Sequence, residues 1–464
     1  MLAGVARISL VALLASMSSY VALPVADAGA ESIERQYYPR TRSKQPANSA
    51  VDASDDRAAT TVNSVTNWLR PSPPSVESQG ALSSRTQIYS GNRSVAPMLN
   101  TRSAPALESA IQFYETIARG GGWGRISASK SLRQGGKGRA VTAVRRRLVI
   151  EGYLPRRAAE GKEYDSVVAQ AVAGFQQNHG LPVTGRVDKA TAASMSVPAS
   201  ARLETMRANL IRLPEYTKDL NSKYVLVNIP AAKLEAVESN RVVSSHTVIV
   251  GKPERPSPIV TSEISEINFN PYWHSPKSIV IKDIVPKVRK SRSILKKMQI
   301  KIFDGYRGPE VDPRSIDWNA PAEEIADKYH FRQEPGGENA MASVKINFRN
   351  KFSVYMHDTP TKTLFQENQR YFSSGCVRVE DVHQLTSWVL GNQDGWNLRQ
   401  IKSVARSEDR IDVALKGKVS VHWVYLTAWA GPDGMVRFRD DIYDLDGTGF
   451  ITGQPIGSPE GRAG

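Results

Sequence analysis

From Tyr224 to Trp429 apolar residues recur at every second position in a series of short runs, and that period of two rules out an all-helical second half. The runs are 224-YVLVNIPAAKLEAVE-238, 241-RVVSSHTVIVG-251, 259-IVTSEISEINFNP-271, 343-SVKINF-348, 352-FSVYMHD-358, 376-CVRVE-380 and 419-VSVHWVYLTAW-429. Strands this short and this close predict an α+β domain built on a mixed or antiparallel, sandwich-like sheet, with 381-DVHQLTSWVLG-391 as an attached helix. Structureless connections rarely exceed ~12 to 15 residues in compact domains. The long polar stretch at 277–342 is therefore expected to form a capping subdomain over a cleft.

The first half has a different texture. Leu107, Ile111, Tyr114 and Ile117 fall at helical spacing in 106–123 and open a helical region expected to run to 215. Within it, 131–195 reads as a small three-helix module. A Gly-rich turn precedes a helix with Val141, Val144 and Leu148 on one stripe, and Gly152 ends it. Asp165 is a candidate cap for a second helix carrying Val168, Val172 and Phe175, which Gly180 stops before a short third helix. Residues 29–105 are rich in Ser, Ala, Pro, Asn, Arg and Gln and predict a disordered linker, because they offer too little apolar surface to offset the entropy of ordering.

At the N-terminus, Arg7, the apolar run Ile8 to Leu23 and the triplet Ala26-Asp27-Ala28 read as a cleaved secretory signal over 1–28. The run is interrupted by serines and is shorter than the ~20 residues of a spanning helix. A protein exported to the periplasm or cell envelope is expected, with no membrane span after cleavage. The formal net charge of +15 points to an acidic partner, and export argues against nucleic acid. Most of the basic clusters are expected to be solvated faces.

Cys376 is the one cysteine in 464 residues. It has no partner within its own chain in a compartment where disulfides persist, which leaves a buried filler or a reactive thiol. Spacing favours the thiol's use. His357 ends one predicted strand, Cys376 begins another after a polar loop, and neighbouring strands would set imidazole beside thiol. A free thiol near pKa 8.5 is only slightly ionised at neutral pH, and an adjacent imidazole raises the reactive fraction. Gly375 permits a tight turn, leaving the backbone N–H groups of Gly375 and Cys376 free for a developing oxyanion. Arg378, two residues along a strand, shares the face of Cys376 and is placed to hold a carboxylate or polarise the site.

The stretch HDTP, then a loop, then SSGCVRVED resembles the L,D-transpeptidase (YkuD-type) catalytic domain. That family's signature is a histidine, about fifteen residues, then [S/T]-H-G-C, an apolar residue and Asn or Arg. Here His357 and Ser373 enclose fifteen residues, and Gly375, Cys376, Val377 and Arg378 complete the pattern. Ser374 departs from it, standing where shorter members have histidine; serine there, the lid insert and FRQEPGGENAMASVKINF resemble the larger periplasmic branch. HTVIVGKPERPSPIVTSEISEINFNPYWHSP is similar to a family segment lining the donor pocket, which implies Trp273 and Tyr355 as pocket walls and Asn270 as a pocket organiser. Residues 131–195 resemble the peptidoglycan-binding-like domain through Gly135, Gly138, Leu148, Gly152, Tyr153, Ala171, Val172, Phe175, Gln176, Gly180, Leu181, Gly185 and Thr191. The expected layout is a catalytic domain over 222–405 and a C-terminal strand extension and tail over 406–464.

The resemblance implies an enzyme that cuts before the terminal D-alanine of a peptidoglycan tetrapeptide stem. The acyl group passes through a Cys376 thioester to a second stem, giving a 3–3 cross-link, without metal or organic cofactor. It also implies that a carbapenem acylates Cys376, and that a backbone carbonyl rather than a carboxylate orients His357. Water as acceptor, a free amine or protein lysine as acceptor, and a non-catalytic wall-binding protein are the alternatives. A zinc site from His357, Cys376 and His383 lacks the closely spaced four ligands of structural sites. DLDGTG at 444–449 lacks the closing carboxylate of a calcium loop, with Pro455 at its twelfth position. His246, His274 and His422 are expected to be satisfied within strands or loops.

Overall fold

The computed structural model describes residues 86–89, 95–391, 393–407 and 409–447. The expected signal segment and most of the expected linker lie outside them. The linker's end departs from expectation. β1 (Gln87–Ile88) pairs with a strand of the main sheet, and Met98 and Leu99 are buried, Met98 N–H donating to the Glu235 carboxylate at 2.8 Å. The local composition is too polar to order alone, so this order comes from docking on the sheet.

Five helices follow: α1 (Ser103–Arg119), α2 (Arg139–Ile150), α3 (Ser166–Asn178), α4 (Lys189–Met195) and α5 (Ala199–Thr217). Leu107, Ala110, Ile111 and Tyr114 form the buried stripe of α1. Asp165 caps α3, its carboxylate accepting Val168 N–H at 2.9 Å, and Asp188 caps α4 likewise through Thr191 N–H at 2.8 Å. The core of the small module is Val141, Val144, Leu148, Val168, Val172, Phe175 and Met195, all fully buried. Arg147 and Glu151 close this module onto α1 and the segment after it: the Arg147 guanidinium lies 3.5 Å over Trp123 and pairs with Glu151, which accepts the Tyr114 hydroxyl of α1 at 2.8 Å.

The main sheet begins with β2 (Lys223–Asn228), β3 (Lys233–Glu238), β4 (Arg241–Gly251) and β5 (Val260–Phe269). The single run expected over 224–238 is two antiparallel strands, broken by a turn where Ala232 takes φ +45°. Next comes the cap: β6 (Trp273–His274), a helical run over 277–290 with a π turn at Val280–Ile284, then β7 (Ile300–Asp304) and β8 (Tyr329–Gln333). Its three strands pair as β6-β8-β7, and it has its own core of Ile284, Val285, Ile302, Trp318 and Phe331.

The chain then returns to the main sheet with β9 (Val344–Phe348), β10 (Met356–His357), β11 (Tyr371–Ser373) and β12 (Val377–Val379). Helices α6 (Val382–Leu390) and α7 (Leu398–Ser407) precede β13 (Ile411–Ala414), β14 (Ser420–Val424) and the hairpin β15 (Ala428–Ala430) and β16 (Val436–Phe438). The long sheet runs β1-β4-β12-β10-β9-β5-β14-β2-β3, and β3 also pairs with β4, so the sheet closes on itself. β4 makes the closure: its first residues pair with β3, and Val248 and Ile249 pair with β12. Val225, Val227, Leu234, Val248, Ile267, Ile346, Met356, Val377, Val421 and Trp423 fill the interior.

β14 lies between β5 and β2, parallel to β2 in the register Ser420↔Tyr224. The segment expected as an extension beyond residue 405 therefore supplies an inner strand of the main sheet. The hairpin β15–β16 holds the helical module: Phe438 stacks on His179 at 5.4 Å, and Arg439 donates to the Asn178 carbonyl at 2.9 Å. Among the described residues no helix is long and apolar enough to cross a membrane.

Candidate active site

Strand register assembles the site. β10 runs parallel to β12, with Met356↔Val377 and His357↔Arg378, and antiparallel to β9, with Met356↔Ile346 and His357↔Lys345. Met356, Val377 and Ile346 are fully buried in the sheet interior. Successive side chains alternate faces, so His357, Arg378 and Lys345 leave the opposite face together. Tyr355 and Cys376, two residues before His357 and Arg378, join them there, and the Tyr355 carbonyl accepts Val377 N–H at 3.1 Å. The shared face of Cys376 and Arg378 matches the reading from sequence. The run expected over 352–358 contributes only β10, because Asn350 turns the preceding chain, bonding Phe352 and Val354 N–H at 3.0 and 3.1 Å.

The turn carrying the thiol is fixed from several sides. Gly375 takes φ +114°, a backbone conformation in which any side chain would be strained. Ser257 Oγ donates to the Gly375 carbonyl at 2.8 Å and accepts Gly251 N–H at 2.9 Å. The Tyr443 hydroxyl donates to the Gly251 carbonyl at 2.6 Å and accepts Ser257 N–H at 3.1 Å. Gly375 N–H, expected to be free for an oxyanion, donates instead to Ser373 Oγ at 3.2 Å, while Ser373 Oγ donates to the Cys376 carbonyl at 2.5 Å. That expectation is corrected: the hydroxyl two residues back claims this amide.

Ser374 is exposed, and its Oγ accepts from Arg255 Nη1 at 3.0 Å. Arg255 also pairs with Asp283 in the cap's π turn. One guanidinium thus joins the thiol's turn to the cap.

His357 is buried, and its Nδ1 bonds the carbonyl of Asp358. A carbonyl only accepts, so Nδ1 carries the proton and Nε2 is left as the base. Burial first, then the Arg378 charge, pushes the imidazole down to about 3. The Asp358 carboxylate is engaged elsewhere, accepting from Ser343 Oγ at 2.7 Å and from Thr359 N–H at 2.8 Å and pairing with Lys362. Burial pushes the Cys376 thiol up to about 11; bonds from the Tyr355 backbone and hydroxyl and the charges of Lys345 and Arg378 oppose that rise. Free of substrate, the site therefore holds a neutral thiol and a neutral imidazole.

Tyr355 is half-buried and interacts through its hydroxyl with both Cys376 and Trp273. Trp273, 8% exposed, starts the cap on β6, opposite Gln333. Asn270 is buried, at φ +44°; its amide donates to the carbonyls of Val404 and Asp409 at 2.8 and 3.0 Å. These bonds tie the end of β5 to α7 and the start of β13 and hold Asn270 as an organiser of the turn into the cap. His383 bonds Ser343 Oγ at 2.7 Å, and His246 bonds the Glu380 carbonyl and Ser244 Oγ, each at 2.9 Å. Among the described residues no three His, Cys, Asp or Glu side chains are grouped to hold a metal ion. Lys345, Arg255, Ser257 and Tyr443 were not legible from motif spacing, since Lys345 reaches the site through strand register and the other three reach it from loops outside the motif.

Family comparison matches residues 222–419 to the L,D-transpeptidase catalytic domain (YkuD) and residues 137–195 to a domain described as "Putative peptidoglycan binding domain". A curated relative from Haemophilus influenzae, "Putative L,D-transpeptidase", is 33% identical over 223 residues. That match covers 48% of this chain and 44% of the relative, so the chain spans less than half the relative's length. Among solved structures, an L,D-transpeptidase from Xylanimonas cellulosilytica has 16% identity and TM-score 0.20, covering 64% of this chain and 99% of that one. One from Stackebrandtia nassauensis has 13% identity and TM-score 0.24, covering 64% and 97%. By the family matches, residues 222–419 carry the L,D-transpeptidase catalytic domain (YkuD), and residues 137–195 match the family described as a putative peptidoglycan-binding domain.

Proposed function

We propose that this chain is a cysteine-dependent L,D-transpeptidase of the cell envelope that forms 3–3 cross-links between peptidoglycan peptide stems. The observation that carries the reading is the placement of Tyr355, Cys376, His357 and Arg378 on one sheet face beside the cap. In this reading His357 Nε2 takes the thiol proton as Cys376 Sγ attacks the carbonyl of the third stem residue. In the same reading the Cys376 N–H and the Tyr355 hydroxyl donate to the developing oxyanion. The proton on His357 then passes to the departing amine, D-alanine leaves, and a thioester remains. An amine of a second stem, deprotonated by His357, attacks it and restores the thiol. The two neutral groups of the free site suit a nucleophile that is ionised only as substrate arrives.

Incubation of the protein with disaccharide tetrapeptide, followed by mass analysis, separates the acceptors. The expected product is the cross-linked dimer. Tripeptide alone would mean water as acceptor and a carboxypeptidase, and exchanged stems would mean a free amine. Unchanged substrate would sink the enzymatic reading and leave a wall-binding protein. A carbapenem is expected to add its mass to Cys376, and no adduct is expected in Cys376→Ala.

A further inference from the structure

Two half-buried cations flank His357 in the same cross-strand row, Arg378 on β12 and Lys345 on β9. Neither forms an ion pair or a side-chain hydrogen bond with any described residue. The neighbouring arginines are spent: Arg332 on Glu334 at 2.7 Å, Arg410 on Asp412 at 2.8 Å, and Arg255 on Asp283. Lys345 Nζ lies 4.4 Å from the centroid of the Tyr355 ring, whose hydroxyl reaches Cys376. Charged groups away from bulk water are ordinarily paired. Glu266 and Asp412 act on Lys345 only from beyond ion-pair distance, so two cations without an ion pair stand beside one thiol, an arrangement that suits an anion.

We propose that Lys345, with Arg378 across His357, is a carboxylate-binding position that holds the free α-carboxylate of the donor's leaving D-amino acid. This rests on the transpeptidase reading above and adds what makes a chain terminus the preferred substrate. In a terminal residue only the amide nitrogen and one Cα separate the attacked carbonyl carbon from the carboxylate carbon, a span of about 4 Å, so a carboxylate bound on this face keeps the carbonyl close to it. A carboxylate so held puts the scissile carbonyl beside Cys376 while its charge rests on Lys345. An ammonium on a flexible stem follows the carboxylate as the leaving group departs.

The test compares tetrapeptide donors ending in a free acid or an amide. The wild type is expected to prefer the acid in kcat/KM, Lys345→Met to lose that preference by about 10- to 100-fold, and Lys345→Arg to keep most of it. An unchanged preference in Lys345→Met overturns the assignment. So does an equal loss on both donors with slower alkylation of Cys376, which would assign Lys345 to the thiolate instead. Binding to Cys376→Ala, with and without Lys345→Met, is read by calorimetry so that the two proposals fail separately. Acid-selective binding that depends on Lys345, with neither donor consumed by wild type, sinks the transpeptidase reading and leaves the carboxylate site. Equal affinity for both donors sinks the site. Thermal unfolding of each variant checks that it is folded.

Discussion

At Cys376 and His357 the surroundings push the two pKa values apart, the thiol up to about 11 and the imidazole down to about 3. A raised thiol pKa leaves less thiolate at any pH below it, and a depressed imidazole pKa leaves no imidazolium to pair with that thiolate. Alkylation of Cys376 by iodoacetamide is therefore expected to quicken about tenfold per pH unit from pH 7 towards pH 10. A plateau reached below pH 7 would reveal a preformed ion pair and contradict this. His357→Ala is expected to lower transfer by about 10²- to 10⁴-fold, with thermal unfolding unchanged within a few degrees; activity near wild type would remove His357 from its role. At this scale the sequence was informative where the chemistry is local. Cys376, His357, Gly375 and Arg378 lie within one motif, and a period of two places Arg378 beside the thiol. Lys345 and Arg255 come from other strands and loops, and spacing along the chain does not encode which residues stand opposite one another. Gly375 N–H was misjudged for the same reason: the sequence shows a turn but not which hydroxyl claims the amide.

Among the elements, the cap meets the turn of the nucleophile through Arg255, which bonds Ser374 Oγ at 3.0 Å and pairs with Asp283. Ser374, the family departure, thus contributes a contact to the cap. Arg255→Ala is expected to lower transfer about tenfold, Asp283→Asn less, and the double variant little beyond Arg255→Ala, because both lose one shared interaction. Steady-state kinetics on the four proteins checks it, and fully additive losses would show that cap and turn are uncoupled. That the insert has structure of its own was legible from its length, since 66 residues rarely connect two sheet strands without any. Its three-stranded sheet was not, because β6 has only two residues and β7 and β8, five residues each, are far apart in the sequence. Long periodic elements, β4 and α3 among them, were readable with their caps, whereas β10 owes its pairing to the strands on either side.

Across the molecule, polar groups buried far from the thiol tie the parts together. Glu235 accepts Met98 N–H, and burial raises its carboxyl from 4.5 to about 7. The folded protein therefore holds this proton more tightly than the unfolded chain, so Glu235 subtracts stability as pH rises from about 4.5 to about 7 and subtracts a constant amount above. Glu235→Gln is expected to raise Tm above pH 7 and to leave it unchanged near pH 4; a gain at pH 4 equal to that at pH 8 would contradict the assignment. Arg147 and Glu151, both about 1% exposed in their side chains, form a buried pair at the end of α2, and Glu151 accepts the Tyr114 hydroxyl of α1. Glu151→Ala strands the guanidinium and is expected to cost about 3–5 kcal/mol of stability by denaturant unfolding. A loss under 1 kcal/mol would mean the pair does not hold the module. The module's own helices were legible from their glycines and apolar stripes, while its docking on β16 was not, because Phe438 and Arg439 lie some 260 residues beyond Asn178 in sequence. The most direct test of the central claim is the intact mass of the protein mixed with tetrapeptide donor and quenched in acid. The expected result is a tripeptidyl adduct mapped to Cys376, absent from Cys376→Ala. Product formed by Cys376→Ala at the wild-type rate, or an adduct on any other residue, would contradict it.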